Sequence, residues 1–245
     1  MRKQFMAILL IGILIGATAI ASVETEIQTA TKNSKTVFLL VTEPNTPDFQ
    51  SVKNVVATTV KENKNTVMIE MDRSNPENRG LVDQYRLSGA PLPLILVIAQ
   101  NGVVAGAAKG LDATSMSLKA LIPSPKKADV LMALQSGKAV FILAGNKSMV
   151  NYSKALSECQ SAVGQMQNSA SIVQVDLSDS AEAAFLKSLN VVPSLTEPVT
   201  LVLNARGQVT GSYPGVPTAT NLVKSARTIP KSGGCCPSSG GGGGC

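Results

Sequence analysis

Four residues in this 245-residue chain have side chains built for nucleophilic or redox work: Cys159, Cys235, Cys236 and Cys245. Their spacing is unusual, because three of the four fall within the last eleven residues and no Cys-x-x-Cys pair exists anywhere. The chain has no histidine and no tryptophan. The absence of histidine excludes a Ser-His-Asp triad, His-ligated zinc or copper, c-type haem attachment and any imidazole base. Aromatic residues at 3% argue against stacking platforms for single-stranded nucleic acid.

The three clustered thiols ride on the segment Gly233-Gly-Cys-Cys-Pro-Ser-Ser-Gly-Gly-Gly-Gly-Gly-Cys245. Such a stretch has no apolar surface to bury, which implies a disordered, flexible Gly/Cys-rich tether over 231–245. Closing Cys235 or Cys236 onto Cys245 makes a loop of roughly ten residues at modest entropic cost. Four readings compete for Cys235, Cys236 and Cys245. They can shuttle disulfides, hold a soft metal ion (Cu(I), Zn or Hg) through thiolates, cross-link the protein to a disulfide-bonded partner, or simply oxidise. Cys159 is different: Leu156 lies three residues before it and Val163 four after, the spacing of an apolar helix face. It reads as a small buried hydrophobe.

The compartment follows from the other end of the chain. Arg2 and Lys3 precede an apolar run from Phe5 to Ile15, and Ala19-Ile20-Ala21 is a small-x-small cleavage site. Residues 1–21 therefore read as a secretory signal peptide, with an uncleaved membrane anchor as the alternative. Its removal takes two of 22 basic residues from a chain with 16 acidic ones, lowering the net charge from +6 to +4. The remaining charges are scattered, which argues against nucleic acid as a partner and against membrane contact beyond the signal segment. A secreted or periplasmic location is expected, with the oxidising conditions that let thiols pair.

The elements that must carry these residues occur twice. Thr36-Val-Phe-Leu-Leu-Val41 returns as Ala139-Val-Phe-Ile-Leu-Ala144, short apolar runs suited to strands buried on both faces. Helix-period stretches follow at Phe49–Glu62 and Tyr152–Met166, then strands ending in Asp72 and Asp176, then further helical stretches near 75–87 and 178–189. Pro93 and Pro198 each open a strand leading to a glycine turn, at Gly102 and Gly207, and a second strand. The offset between copies grows from 103 residues at Val37/Val140 to 105 at Pro93/Pro198, which means duplicated domains and not a solenoid. Both copies close on proline, at Ile122-Pro123 and Ile229-Pro230. The expected class is α/β, with a mixed sheet flanked by helices in each domain. The boundaries read as 22–125 and 126–230, joined at about Pro123–Lys127.

Strand, polar loop opening a helix, strand ending in aspartate, proline, then β-hairpin: in this order each copy resembles thioredoxin and the modules of protein disulfide isomerase. The resemblance implies a cis proline at Pro93 and Pro198, with Pro91 and Pro193 as neighbouring competitors, facing the loop that opens the first long helix. In that family the loop carries Cys-x-x-Cys. Here Asn45 and Asp48 stand at those positions in Thr42-Glu-Pro-Asn-Thr-Pro-Asp48, with Pro47 retained, and Ser148 and Asn151 stand there in the second copy. The family's buried carboxylate falls on Leu39 and Ile142. Nucleophile, resolving thiol and proton relay are thus missing together, so ordinary dithiol–disulfide exchange is not expected from either loop. Helix capping is the simplest reading of Asn45, Asp48, Ser148 and Asn151. The groove that remains beside the loop, formed by Asn45, Thr46, Pro47, Asp48 and Pro93 in one copy and Ser148, Asn151 and Pro198 in the other, implies binding of an extracytoplasmic protein or peptide. No cofactor is required beyond the metal that the tail thiols can take. An oxidoreductase or metal carrier acting through the tail is the alternative.

Two smaller patterns are present. Asn146-Lys-Ser148 and Asn151-Tyr-Ser153 match the N-glycosylation acceptor by the chance of a polar loop. Asp176, Asp179 and Glu182 suggest a hard-cation site, though capping by Ser178 or Asp179 explains them more simply.

Overall fold

A computed structural model describes residues 22–230. The signal segment 1–21 and the tail with Cys235, Cys236 and Cys245 lie outside the described residues. The first repeat runs α1 (Val23–Lys32), β1 (Thr36–Thr42), α2 (Phe49–Glu62), β2 (Thr66–Asp72), α3 (Arg79–Gln84), β3 (Leu94–Ile98), β4 (Val104–Lys109) and α4 (Ser115–Leu121). The second repeats the order with α5 (Pro125–Gln135), β5 (Ala139–Ala144), α6 (Tyr152–Gln165), β6 (Ala170–Val175), α7 (Ala183–Ser188), β7 (Val199–Leu203), β8 (Val209–Pro214) and α8 (Ala219–Arg227). Short 3₁₀ turns, Pro76–Asn78 and Ser180–Glu182, take the first part of the helical stretch expected after each strand-ending aspartate.

Each sheet has four strands, in the orders β2-β1-β3-β4 and β6-β5-β7-β8. The first two neighbours are parallel and the remaining pairs antiparallel. Alternation along β1 explains why both faces of the sheet are covered. Val37, Leu39 and Val41 join one apolar cluster with Ile27 of α1 and Leu81 of α3. Phe38 and Leu40 join another with Val52 and Val56 of α2 and Leu118 of α4. The second domain repeats this: Val140, Ile142 and Ala144 face α5 and α7, while Phe141 packs with Cys159 of α6 and Leu222 of α8. Gly102 (φ 86°) and Gly207 (φ 76°) turn the two hairpins in a backbone conformation that favours glycine.

Helices α1 and α5 are additions to the elements expected from the sequence. Helix α5 begins at Pro125, capped by Ser124, so only Ile122–Ser124 separate it from α4. Glu182, from the distant 3₁₀ turn, is 1% exposed and holds this helix start. Its carboxylate accepts from Ser124 Oγ (2.5 Å) and from the Lys126 N–H (2.8 Å), two groups at the positive end of α5. Helix α5 then serves both domains. Val130 and Ala133 pack on the second sheet, and Ala128 and Leu131 pack on Ala99 and Val103 of the first domain's hairpin. Gln135 Nε2 donates to the Val104 carbonyl (3.0 Å).

Candidate functional site

The loops that open α2 and α6 are built alike from different residues. Thr46 Oγ1 accepts from the Glu43 N–H (3.0 Å) and donates to the Glu43 carbonyl (2.9 Å), bracing a tight turn. In the second domain Met149 takes this place: its Sδ accepts from the Asn146 N–H (3.4 Å), and its own N–H donates to the Asn146 carbonyl (2.9 Å). The last loop residues, Asp48 and Asn151, occupy the N-cap positions of α2 and α6 with φ of 58° and 73°. The capping expectation is corrected here. Neither side chain bonds the first helical turn, because a side-chain cap requires an extended backbone and these two are left-handed. Asn45 is left-handed too, at φ 63°. The backbone alone closes the first turns, through Val52 N–H to Asp48 O (3.1 Å) and Ala155 N–H to Asn151 O (2.9 Å).

A cleft of about 560 Å³ opens beside the first loop, lined among others by Glu43, Asn45, Thr46, Asp48, Phe49 and Asp72. Arg73, not singled out from sequence, ties its wall down. Its Nε donates to Glu43 Oε1 (2.7 Å), and its Nη1 donates to the carbonyls of Leu87 and Ala90 (both 2.8 Å). The one sequence clue was position, immediately after the strand-ending aspartate. The second domain has buried Leu177 in the matching place, so it lacks this clamp. A cavity of about 330 Å³ in the second domain is lined by Lys126, Gly145, Lys147, Tyr152, Gln174, Asp176 and Asp179.

Asn45, Thr46 and Asp48 therefore share one cleft, while Pro47 is exposed outside its lining. Pro93 and Pro198 are both buried and line neither cavity. Ser148 and Asn151 do not line the second domain's cavity either. Pro93 carries the expected cis bond after Leu92, and its carbonyl accepts from the Gly110 N–H (2.8 Å). A Cβ on Gly110 would lie 2.7 Å from Pro93 Cγ, so the position leaves no room for a side chain. Pro198 takes the matching bond from Gly215 (2.8 Å). The cis expectation for it is corrected, since Leu92–Pro93 is the one cis bond among the described residues. Pro91 and Pro193, the competitors, are not preceded by cis bonds.

The strand order, the parallel and antiparallel pairing and the proline opening an antiparallel hairpin are now in place in both halves. Both domains have the thioredoxin-like fold. Leu39 and Ile142, where the resemblance would put a carboxylate, are fully buried in apolar clusters. Cys159 is fully buried on the α6 face, as is its counterpart Val56 on α2. Burial pushes its thiol up to about 11, with Thr200 Oγ1 4.0 Å away as a weak partner. The suggested cation ligands are dispersed onto backbone work. Asp176 accepts from the Ser178 hydroxyl (2.6 Å) and N–H (2.8 Å), bonds that hold its pKa below the ordinary carboxylate value. Asp179 caps its 3₁₀ turn at Ala181 N–H (2.9 Å), and Glu182 holds α5. Among the described residues no three Cys, Asp or Glu side chains are grouped to hold a metal ion, and no helix is long and apolar enough to cross a membrane.

No protein-family model matches the chain, and no curated protein does. Among solved structures it is similar to a mutant thioredoxin from Halobacterium salinarum, with 23% identity over 40% of this chain and 80% of that one and a TM-score of 0.34. It is also similar to the first two thioredoxin domains of Saccharomyces cerevisiae Eps1p, with 12% identity over 87% of this chain and 98% of that one and a TM-score of 0.34. Human ERp44 is similar at 10% identity, over 82% of this chain and 53% of that one, with a TM-score of 0.36.

Proposed function

We propose that this is an exported, redox-inactive tandem thioredoxin-like protein that binds extracytoplasmic proteins or peptides. The loop cleft of the first domain is the principal contact, and the cysteine tail serves for attachment, thiol exchange or soft-metal binding. The observation that carries the reading is the content of the two loops. Asn45, Asp48, Ser148 and Asn151 stand where dithiol chemistry needs thiols, and Asp48 and Asn151 leave their side chains uncommitted to the helices they precede. A thiolate is the nucleophile of disulfide exchange, so these loops can bind but cannot exchange. The alternative, an oxidoreductase or metal carrier, rests on three thiols lying within eleven residues.

The test compares the mature protein with and without residues 235–245, reading insulin-disulfide reduction, bound metal, and affinity for a reduced, carboxymethylated protein. Binding that survives removal of the tail, and that Asn45→Arg weakens at least fivefold, is the expected result. Tail-dependent turnover or tail-dependent stoichiometric metal would replace this reading with the oxidoreductase or the carrier.

A further inference from the structure

Each sheet has one edge that the fold protects and one that it leaves open. Strands β4 and β8 are irregular, with register shifts opposite Val97/Ile98 and Val202/Leu203. Gln135 occupies the Val104 carbonyl of β4, and β8 ends in Pro214. Bulges, covering groups and proline are the usual protections of a strand edge. Strands β2 and β6 have neither bulge nor proline, are covered among the described residues only at the ends of β2, and pair with β1 and β5 in unbroken register.

The parity of their outer backbone groups can be read from the ends of each ladder. Thr36 N–H donates to the Asn65 carbonyl, and Arg73 N–H donates to the Thr42 carbonyl, so the odd-numbered residues of β2 face β1. The even-numbered ones face outward. Thr66 N–H is taken by the Asn63 carbonyl, and the Asp72 carbonyl by Asn78 Nδ2. Met68 and Glu70 each keep an N–H and a C=O without a partner among the described residues. In the second domain the Ala139–Ser169 and Gly145–Val175 bonds set the same parity, leaving Ile172 and Gln174 in the matching state.

Beside each open edge lies a groove, of about 340 Å³ along β2 and about 370 Å³ along β6. Their helix walls correspond residue for residue at an offset of 103: Glu26 with Asp129, Ala30 with Ala133, Asn33 with Ser136, and Lys35 with Lys138. Each groove is therefore dipolar, with a lysine at the end where the strand starts and a carboxylate further along. Lys35, Lys138 and Glu26 form no ion pair among the described residues, whereas Asp129 is shared with Lys126 at 3.2 Å.

We propose that these two grooves bind extended peptide segments, each adding as a fifth strand to β2 or β6. The unpaired backbone groups supply the attraction that only another extended backbone can match. The charges select the sequence: an acidic side chain beside Lys35 or Lys138, and a basic one beside Glu26 or Asp129. Glu26 lies seven residues before the C-cap Asn33, about 10 Å along the helix, and Lys35 lies two residues further on, so a same-face pair four residues apart in an extended chain, about 13 Å, matches the span between the charges. This surface is separate from the loop cleft and does not depend on it.

The experiment uses the full mature chain and a fluorescent nine-residue peptide of alternating Val and Thr, with Glu and Lys four residues apart so that both point to one face. Two backbone N-methylated forms are compared, each methylated on one of the two alternate residue sets. One form is expected to bind at least tenfold more weakly than the parent and the other equally well, because only one edge of the added strand faces the protein. Amide exchange at Met68, Glu70, Ile172 and Gln174 is expected to slow when the parent peptide binds. Lys35→Glu with Lys138→Glu weakens binding, and a peptide whose Glu is replaced by Lys restores it. Equal binding by both methylated forms, or unchanged exchange at those four amides, overturns the proposal. So does slowing that rises with protein concentration alone, which would assign the edges to a second copy of the chain. Asn45→Arg leaves this binding unchanged, so the loop reading and this one fail separately.

Discussion

Cys159 sits on α6 where Val56 sits on α2, and its surroundings penalise the thiolate enough to push its pKa from the ordinary 9.0 to about 11. The unfolded chain therefore ionises at this residue before the folded one. The stabilisation is fully present below pH 9 and is lost as pH rises toward 11, at about 1.4 kcal/mol per unit at most. Tyr85 and Tyr152, raised chiefly by burial, act in the same direction above pH 10. Urea midpoints are expected to be flat from neutral pH to about 8.5 and to fall above 9. Cys159→Val is expected to flatten the part of the curve nearest pH 9. An unchanged curve in that variant would show that the thiol is not enclosed as described. The burial of Cys159 was legible from the spacing of Leu156 and Val163, because helix periodicity reports which face is apolar. The role of Glu182 was not legible, since its partners lie 56 and 58 residues away and local pattern offered only a carboxylate among carboxylates.

At the scale of elements, the strands and the helices α2 and α6 were readable because each combines a strong pattern with a clear start. The loops before those helices were readable in position but not in conformation. Asp48 and Asn151 are good N-cap residue types, and only the tertiary course of the loop puts them at φ 58° and 73°. This makes opposite forecasts for one substitution. A side-chain cap replaced by glycine loses a few tenths of a kcal/mol, whereas a left-handed residue replaced by glycine is relieved of strain. Asp48→Gly and Asn151→Gly are each expected to stabilise by about 0.5–1 kcal/mol in urea titrations, against a loss for the corresponding alanine variants. Loss of stability in both glycine variants would restore the capping account. Helix α1 escaped the sequence reading for a related reason: of its ten residues only Ile27 and Ala30 are buried, too few to make a visible stripe.

Across the whole molecule, duplication was legible and its asymmetries were not. Arg73 clamps the loop before Pro93, but Leu177 in the same place joins an apolar core, a difference that no pattern of hydrophobicity distinguishes from surface variation. The contact between the halves has an apolar centre, with Ala99, Val103 and Ala128 each at most 2% exposed, and the Gln135–Val104 hydrogen bond beside it. A charge placed there is left buried and unpaired. Ala128→Glu is expected to split thermal unfolding into two calorimetric transitions where the parent shows more closely coupled ones, and Lys127→Glu on the same helix is the control. A single transition in both would mean that the contact does not couple the domains. The double duty of α5 also bears on how the chain is made. Synthesis proceeds from the amino end, so the hairpin of the first repeat leaves the ribosome with Ala99 and Val103 uncovered. Its cover is the first helix of the next repeat, and Glu182, which fastens the start of that helix, emerges later still. A chain of which residues up to somewhere between 135 and 182 have emerged thus carries a formed first sheet whose lid is present but not yet latched.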